Sequence, residues 1–175
     1  MCKRLVWLVV VVVLFFPPAA YSSSEPVQDR HVYFSPKGGC TQAIVDALGQ
    51  AKSSILVQAY TFTSYPIAEA LIAAEKRGVK VEAIIDAKRI HEKKVKIGLV
   101  AKGGVTVYLD GAHAIAHSKV MVIDGKTVIT GSFNFTNAAE EKNAENLLIL
   151  ADPALAAEYT SNWQIHRKHS ELYNV

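Results

Sequence analysis

Cysteine is almost missing from this chain: Cys2 and Cys40 are the only two in 175 residues. Charge of one sign is scarce as well, with 19 Lys and Arg against 16 Asp and Glu. Proline and glycine are modest, at 6 and 10 residues, and half the residues are apolar. Collagen-like, low-complexity and disordered classes are therefore excluded, and the length fits one packed domain. No apolar run is long enough to span a bilayer. The longest, Leu5 to Phe16, holds twelve residues, and twelve helical residues reach about 18 Å against a hydrocarbon core of roughly 30 Å.

What is present at the start is a short cationic segment, that apolar run, then Pro17-Pro18 and the small residues Ala19, Ala20, Ser22, Ser23 and Ser24. This order describes a secretory signal with cleavage near Ser22, so residues 1–22 are expected to be removed and residues 23–175 to form an exported domain, periplasmic or secreted, with no stable membrane association. Cys2 precedes the apolar run and cannot carry the lipid of a lipoprotein. Loss of Cys2 leaves Cys40 alone, which excludes an intrachain disulfide and points to a buried, inert thiol. Loss of Lys3 and Arg4 leaves 17 basic against 16 acidic residues, a net charge of +1. Any affinity for a polyanion must then come from a local site.

The mature chain alternates strand and helix signals. His31–Phe34 reads as a strand, and Ala43, Ile44, Ala47 and Leu48 recur at helical spacing. Ser54–Phe62 is β-rich; Ile67, Ala70, Leu71 and Ala74 form a helical stripe that stops at Lys76-Arg77-Gly78. Val79–Ile85 alternates as a strand, His91–Lys102 reads as a charged helix, and Val105–Leu109 as another strand. In the second half, His117–Ile123 and Thr127–Thr130 flank Asp124-Gly125-Lys126, a hairpin signal. Asn146–Leu150 is a further strand, and Asp152-Pro153 caps a closing helix running to about His169. The pattern predicts an α/β fold of one domain, a mixed sheet flanked by helices. No internal repeat is visible.

The second half also contains H-S-K-V-M-V-I-D-G-K-T-V-I-T-G-S-F-N, residues 117–134. His117 and Lys119 are two apart on an expected strand, so imidazole and ammonium share a face. The string matches H-x-K-x4-D-x6-G-S-x-N at every defined position, and here the chain resembles the phospholipase D superfamily. Two other H-x-K triplets, His91-Glu92-Lys93 and His166-Arg167-Lys168, are followed at the Asp position by Gly98 and Tyr173 and are expected on solvated helix faces. The resemblance extends back through Ile55–Tyr60, Ala68–Gly78 and Val79–Asp86. It is strongest to the small secreted bacterial nucleases of Nuc type, which carry one signature per chain.

These residue types suit phosphodiester cleavage. A neutral His117 can attack phosphorus and form a phosphohistidine. Lys119 and the Asn134 amide can stabilise charge on the phosphate oxygens, and Ser132 can add a donor. A carboxylate on the other ring nitrogen would fix the tautomer of His117; the resemblance implies Glu145 for this, with Glu140 and Glu141 left open. Asp124 belongs to the signature, but strand parity points it away from His117, toward a structural role at the turn. The family chemistry uses two histidines, and one motif supplies one, so a homodimer with a shared site is expected, or else a monomer with another acid such as His113. His113 and His117 alone make an incomplete zinc site, and the resemblance implies metal-independent catalysis with no cofactor. The leading expectation is a sequence-nonspecific endonuclease for DNA, with RNA as a further substrate. The alternatives are a phospholipid phosphodiesterase or transphosphatidylase, and a noncatalytic nucleic-acid-binding protein. Lys93, Lys94, Lys96 and Lys102 are candidates for phosphate contact or for a solvated helix face.

Overall fold

The computed structural model describes residues 29–174, so the expected leader at residues 1–22 lies outside the described part. The elements are β1 (Asp29–Ser35), α1 (Cys40–Gln50), β2 (Ser54–Ala59), α2 (Tyr65–Lys76), β3 (Lys80–Asp86), α3 (Ile97–Lys102), β4 (Thr106–Asp110), β5 (Lys119–Ile123), β6 (Thr127–Gly131), α4 (Asn137–Glu141), β7 (Glu145–Ala151), α5 (Pro153–His169) and β8 (Glu171–Leu172). The strands form one mixed sheet in the order β1-β7-β6-β5-β2-β3-β4-β8. β2, β3 and β4 run parallel, and the other pairings are antiparallel.

Period-two alternation sorts the strands' side chains onto two faces. Ile55, Val57, Val81, Ala83, Ile85, Met121, Ile123 and Ile129 pack with Ile44, Leu48, Ile67 and Leu71, so α1 and α2 cover one face. The opposite face lies under α5, where Val120, Val122 and Val128 meet Ala156 and where Ile84 and Tyr108 meet Trp163. Trp163 also donates its indole N–H to the Val57 carbonyl at 3.0 Å, which satisfies the polar end of a buried aromatic. Asp152 caps α5 by accepting from the Ala154 and Leu155 amides, with Pro153 behind it in the first turn.

The expected helix over His91–Lys102 is shorter. Ala87–Arg89 form one 3-10 turn, Lys94 takes a φ of 70°, and helical structure begins only at Ile97. The physical reason is the lack of a stripe to bury: Ile97 and Val100 are the buried residues of α3, and His91-Glu92-Lys93-Lys94 gives a short helix no packing to offset its nucleation cost. β5 likewise starts at Lys119 rather than His117, although the ladder reaches one step further through the Tyr60 amide, which donates to the Ser118 carbonyl at 3.0 Å. The turn after β5 forms as its residues require, with Asp124 and Gly125 both at positive φ, 55° and 62°.

Candidate active site

One edge of the sheet gathers the chain's chemistry. The C-terminal ends of the parallel strands β2, β3 and β4 lie there beside the start of β5, the end of β6 and the start of β7. Lys119 opens β5 on the same face as Met121 and Ile123, and only 7% of it is exposed. Its Nζ donates to the His117 carbonyl at 2.7 Å and lies 5.1 Å from the Tyr60 ring centre. Burial pulls this ammonium below its usual pKa, and the negative charge of Glu145 opposes that pull.

His117 sits just before β5 with its side chain exposed, and its ring meets Tyr60 edge-on, centroids 4.5 Å apart. The Arg89 guanidinium stands 4.0 Å from the same Tyr60 ring. Tyr60 is thus a platform shared by His117, Lys119 and Arg89, and two cations lie within cation–π range of it. Sequence reasoning did not single out Tyr60 or Arg89. The usable signal was position, because Tyr60 directly follows a parallel strand's C-terminal end, where open α/β sheets place their ligands. Behind the imidazole, the segment between β4 and β5 is tied down twice. The Ala116 amide donates to Asp86 at 2.7 Å, and Lys88 Nζ donates to the Ala114 carbonyl at 2.6 Å.

The Gly-Ser-Phe-Asn segment follows β6. Gly131 has a φ of 149°, and a Cβ there would lie 2.3 Å from the Asn146 carbonyl oxygen. Only glycine permits that approach, and it lets the Ser132 and Phe133 amides both donate to that carbonyl, at 3.1 and 3.2 Å. Phe133 and Phe135 are fully buried and anchor the segment. Between them, Asn134 faces a cleft of about 480 Å³ of mixed polar and apolar lining, to which Thr61, Thr63, Lys94, Thr136, Ala138 and Lys142 also contribute. The Asn134 amide oxygen is buried without a hydrogen-bond partner among the described residues. Such an orphan is rare away from ligand sites.

Ser132 is arranged differently from a phosphate donor. Its hydroxyl donates to Glu145 at 2.6 Å and accepts from the Asn146 backbone and side-chain amides, so it orients the carboxylate. Glu145 also accepts from the Asn143 side chain at 3.1 Å, and no hydrogen bond joins it to His117 among the described residues. Glu140 is engaged elsewhere, accepting from the Gly39 and Thr41 amides at the start of α1. Glu141 is exposed on a neighbouring groove with Lys94 and Lys96. Lys102 lines a separate groove beside Glu69 and Lys76. His113 turns away from His117 toward Asp110, so it forms no metal pair with His117 and stands apart as an acid.

Asp124 lies at the far end of β5 from Lys119 and outside this site. Its carboxylate accepts from the Lys52, Ser53 and Ser54 amides at 2.9, 2.7 and 3.0 Å and from the Ser53 hydroxyl at 2.9 Å. Burial works to raise its pKa, but these hydrogen bonds outweigh it and hold the group at about 2. A carboxyl whose folded value lies below its unfolded one stabilises the fold above roughly pH 4 and loses that contribution as pH falls toward 2. Asp124→Asn is therefore expected to cost roughly 1–2 kcal/mol at pH 7, after allowance for partial exposure. The gap to wild type should narrow as pH falls through about 2 in thermal melts followed by circular dichroism. An equal gap at every pH would contradict this role.

The comparisons agree with this geometry. The family model described as "Cardiolipin synthase, PLD-like domain" matches residues 44–166. A phospholipase D of Rickettsia felis is 42% identical over 151 residues, covering 86% of this chain and 75% of the relative. A mitochondrial cardiolipin hydrolase of Xenopus laevis is 33% identical over 124 residues, 71% of this chain and 59% of the relative. Among solved structures, Nuc from Salmonella typhimurium, a phospholipase D family member, matches with a TM-score of 0.80 and 37% identity over 84% of this chain and 99% of its own. NucT from Helicobacter pylori matches with a TM-score of 0.76 and 25% identity over 83% of this chain and 99% of its own. With the matched region running from α1 into α5 and containing the whole H-x-K to G-S-x-N string, the chain belongs to the phospholipase D superfamily and is a phosphodiesterase of that kind.

Proposed function

We propose that this phosphodiesterase is an exported, sequence-nonspecific endonuclease that cuts DNA, and RNA where it meets it, at a site shared between two copies of the chain. The observation that carries the choice of substrate is the cleft beside Asn134. Its hydroxyls, amides and the ammonium groups of Lys94 and Lys142 suit a polyanionic backbone. The resemblance of the whole chain to Nuc supports the same reading. Export rests on the leader expected at residues 1–22.

In this reading the neutral His117 imidazole attacks phosphorus, a P–N bond forms, and the P–O bond to the leaving strand breaks as that oxygen takes a proton from a second His117. Water then displaces the imidazole and returns the proton to the second histidine. Lys119 and Asn134 bind the non-bridging oxygens as charge develops on them. Two histidines must flank one phosphorus, so the second is supplied by a partner across a two-fold axis. Phe34 and Val32, 67% and 53% exposed on the outer strand β1, offer apolar surface near this edge for that contact.

The phospholipid reading is favoured by the names of the relatives, phospholipase D in Rickettsia felis and mitochondrial cardiolipin hydrolase in Xenopus laevis, and by the description of the family model. Incubating the purified protein at 25 °C with supercoiled plasmid and, separately, phosphatidylcholine vesicles, both in excess chelator, distinguishes the two. Plasmid nicking with intact vesicles is expected. Choline release with intact plasmid would move the assignment to phospholipase. Plasmid cleavage that stops in chelator and returns with magnesium would overturn the metal-free chemistry.

A further inference from the structure

On the α5 side of the sheet, away from Lys119, a second polar cluster lies outside the phosphodiesterase machinery. Asp110 ends β4 with its side chain wholly buried. His113 Nδ1 lies 3.0 and 3.1 Å from its two oxygens, His166 Nδ1 lies 2.8 Å and His169 Nε2 3.3 Å from Oδ2. The three imidazoles stand around that carboxylate with centroids 4.8 to 5.3 Å apart. His166 and His169 are three apart on the last turn of α5, so both rings leave one helix face. The expected solvated face is therefore not what this turn presents: the His166 side chain is only 19% exposed.

We propose that Asp110, His113, His166 and His169 bind one divalent transition-metal ion of zinc type, which clips α5 to β4 and to the segment leading into His117.

Three arguments carry this. First, the ligand atoms converge: all four lie within 4.8 Å of one another. A tetrahedral zinc with bonds of about 2.0–2.1 Å places its ligands roughly 3.4 Å apart, so an ion fits after small shifts. Second, all three ring nitrogens are aimed at one buried carboxylate, His113 Nδ1 at both oxygens and the His166 and His169 nitrogens at Oδ2, so their directions converge on one point, as those of a metal's ligands do. A cation at the point of convergence would take a lone pair from each ring. Third, exposure rises from Asp110 at 0% through His166 at 19% and His169 at 32% to His113 at 43%. The site is closed on the protein side and open to entry from solvent. Three imidazoles with one carboxylate suit zinc, nickel or copper and disfavour magnesium and calcium, which take oxygen sets. The Ala112 amide, which donates to Asp110 Oδ1 at 3.1 Å, orients the carboxylate.

Such a clip would be structural. β4 lies three strands from β5 in the sheet, roughly 14 Å away, and Asp110 projects to the face opposite Lys119. His113 belongs to the segment that delivers His117, so the ion would fix the start of that segment while Asp86 and Lys88 fix its end.

The test uses protein stripped with chelator, dialysed and titrated with zinc chloride alone by calorimetry. One equivalent is expected to bind, with a rise in melting temperature of roughly 5 °C or more at about a hundredfold excess over Kd. His113→Ala and His169→Ala, both at partly exposed side chains and so able to fold, should each weaken binding at least about tenfold, whereas His117→Ala should bind as wild type does. Cobalt in place of zinc should give unmodified protein a tetrahedral visible absorption band. No bound zinc and no cobalt band would overturn the proposal. So would zinc binding that survives loss of both His113 and His169, or that disappears with His117. Stripped protein should still cut plasmid at 25 °C, so failure here and failure of the nuclease reading are separable.

Discussion

His117→Ala is expected to yield a folded protein whose cleavage rate is lower by roughly four orders of magnitude or more, the scale on which removal of a covalent nucleophile acts. The argument has two halves. The chemical half is that nothing else at the site can replace the imidazole: Lys119 spends a donor on the His117 carbonyl, Ser132 is committed to Glu145, and Asn134 is an amide. The structural half is that the side chain is exposed and touches mainly the edge of Tyr60, so truncation should change stability by no more than about 0.5 kcal/mol. Circular dichroism and melting temperature should match wild type while plasmid nicking vanishes. His117→Asn should behave alike, since an amide keeps the polarity but not the nucleophilic nitrogen. Rapid acid-free quenching of wild type should trap phosphate on a histidine, and neither variant should give that signal. A residual rate within tenfold of wild type at equal protein concentration would remove His117 from the nucleophile's role.

The motif was legible in the sequence because its parts are local. H-x-K lies at the start of one strand and G-S-x-N at the end of its hairpin partner, and Lys119 and Gly131 fall opposite each other when the β5–β6 register is continued. The order of strands and helices was legible for a similar reason, since each apolar stripe predicts its own element. Three things could not be read. The short elements α4 and β8 carry no periodic signal, and their positions are set by neighbours. Tyr60 meets His117, and Arg89 meets Tyr60, only because β2 pairs with β5 and β3 follows β2 in the sheet. The histidines of α5 lie 56 and 59 residues from Asp110, so their meeting depends on α5 crossing back over the α5-covered face. The same distance explains why His166 resembled a solvated residue: its neighbours in sequence are Arg167 and Lys168, and its partner in space is a buried carboxylate. Asp124 shows the opposite case, in which parity alone placed a signature residue away from the site.

Mixing subunits should reveal the shared site. Suppose His117→Ala protein is combined with wild type at about nine to one and allowed to exchange. If each active groove needs two His117 side chains, only wild-type pairs cut, and random pairing leaves about 1% of dimers in that class. Dilution without sharing would leave about 10%. The tenfold difference follows from the geometry of in-line displacement, because attack and leaving-group protonation occur on opposite sides of one phosphorus, and each chain brings a single imidazole to its Lys119–Asn134 edge. His113, the alternative acid that the sequence offered, is directed to Asp110 and does not serve. Pairing would also place two Lys119 ammonium groups at one groove, a local positive field that a nearly neutral chain does not otherwise display. Sedimentation at the assay concentration should show a dimer. A monomer there, together with activity that falls only in proportion to the wild-type fraction, would mean that the second proton comes from a group within the same chain.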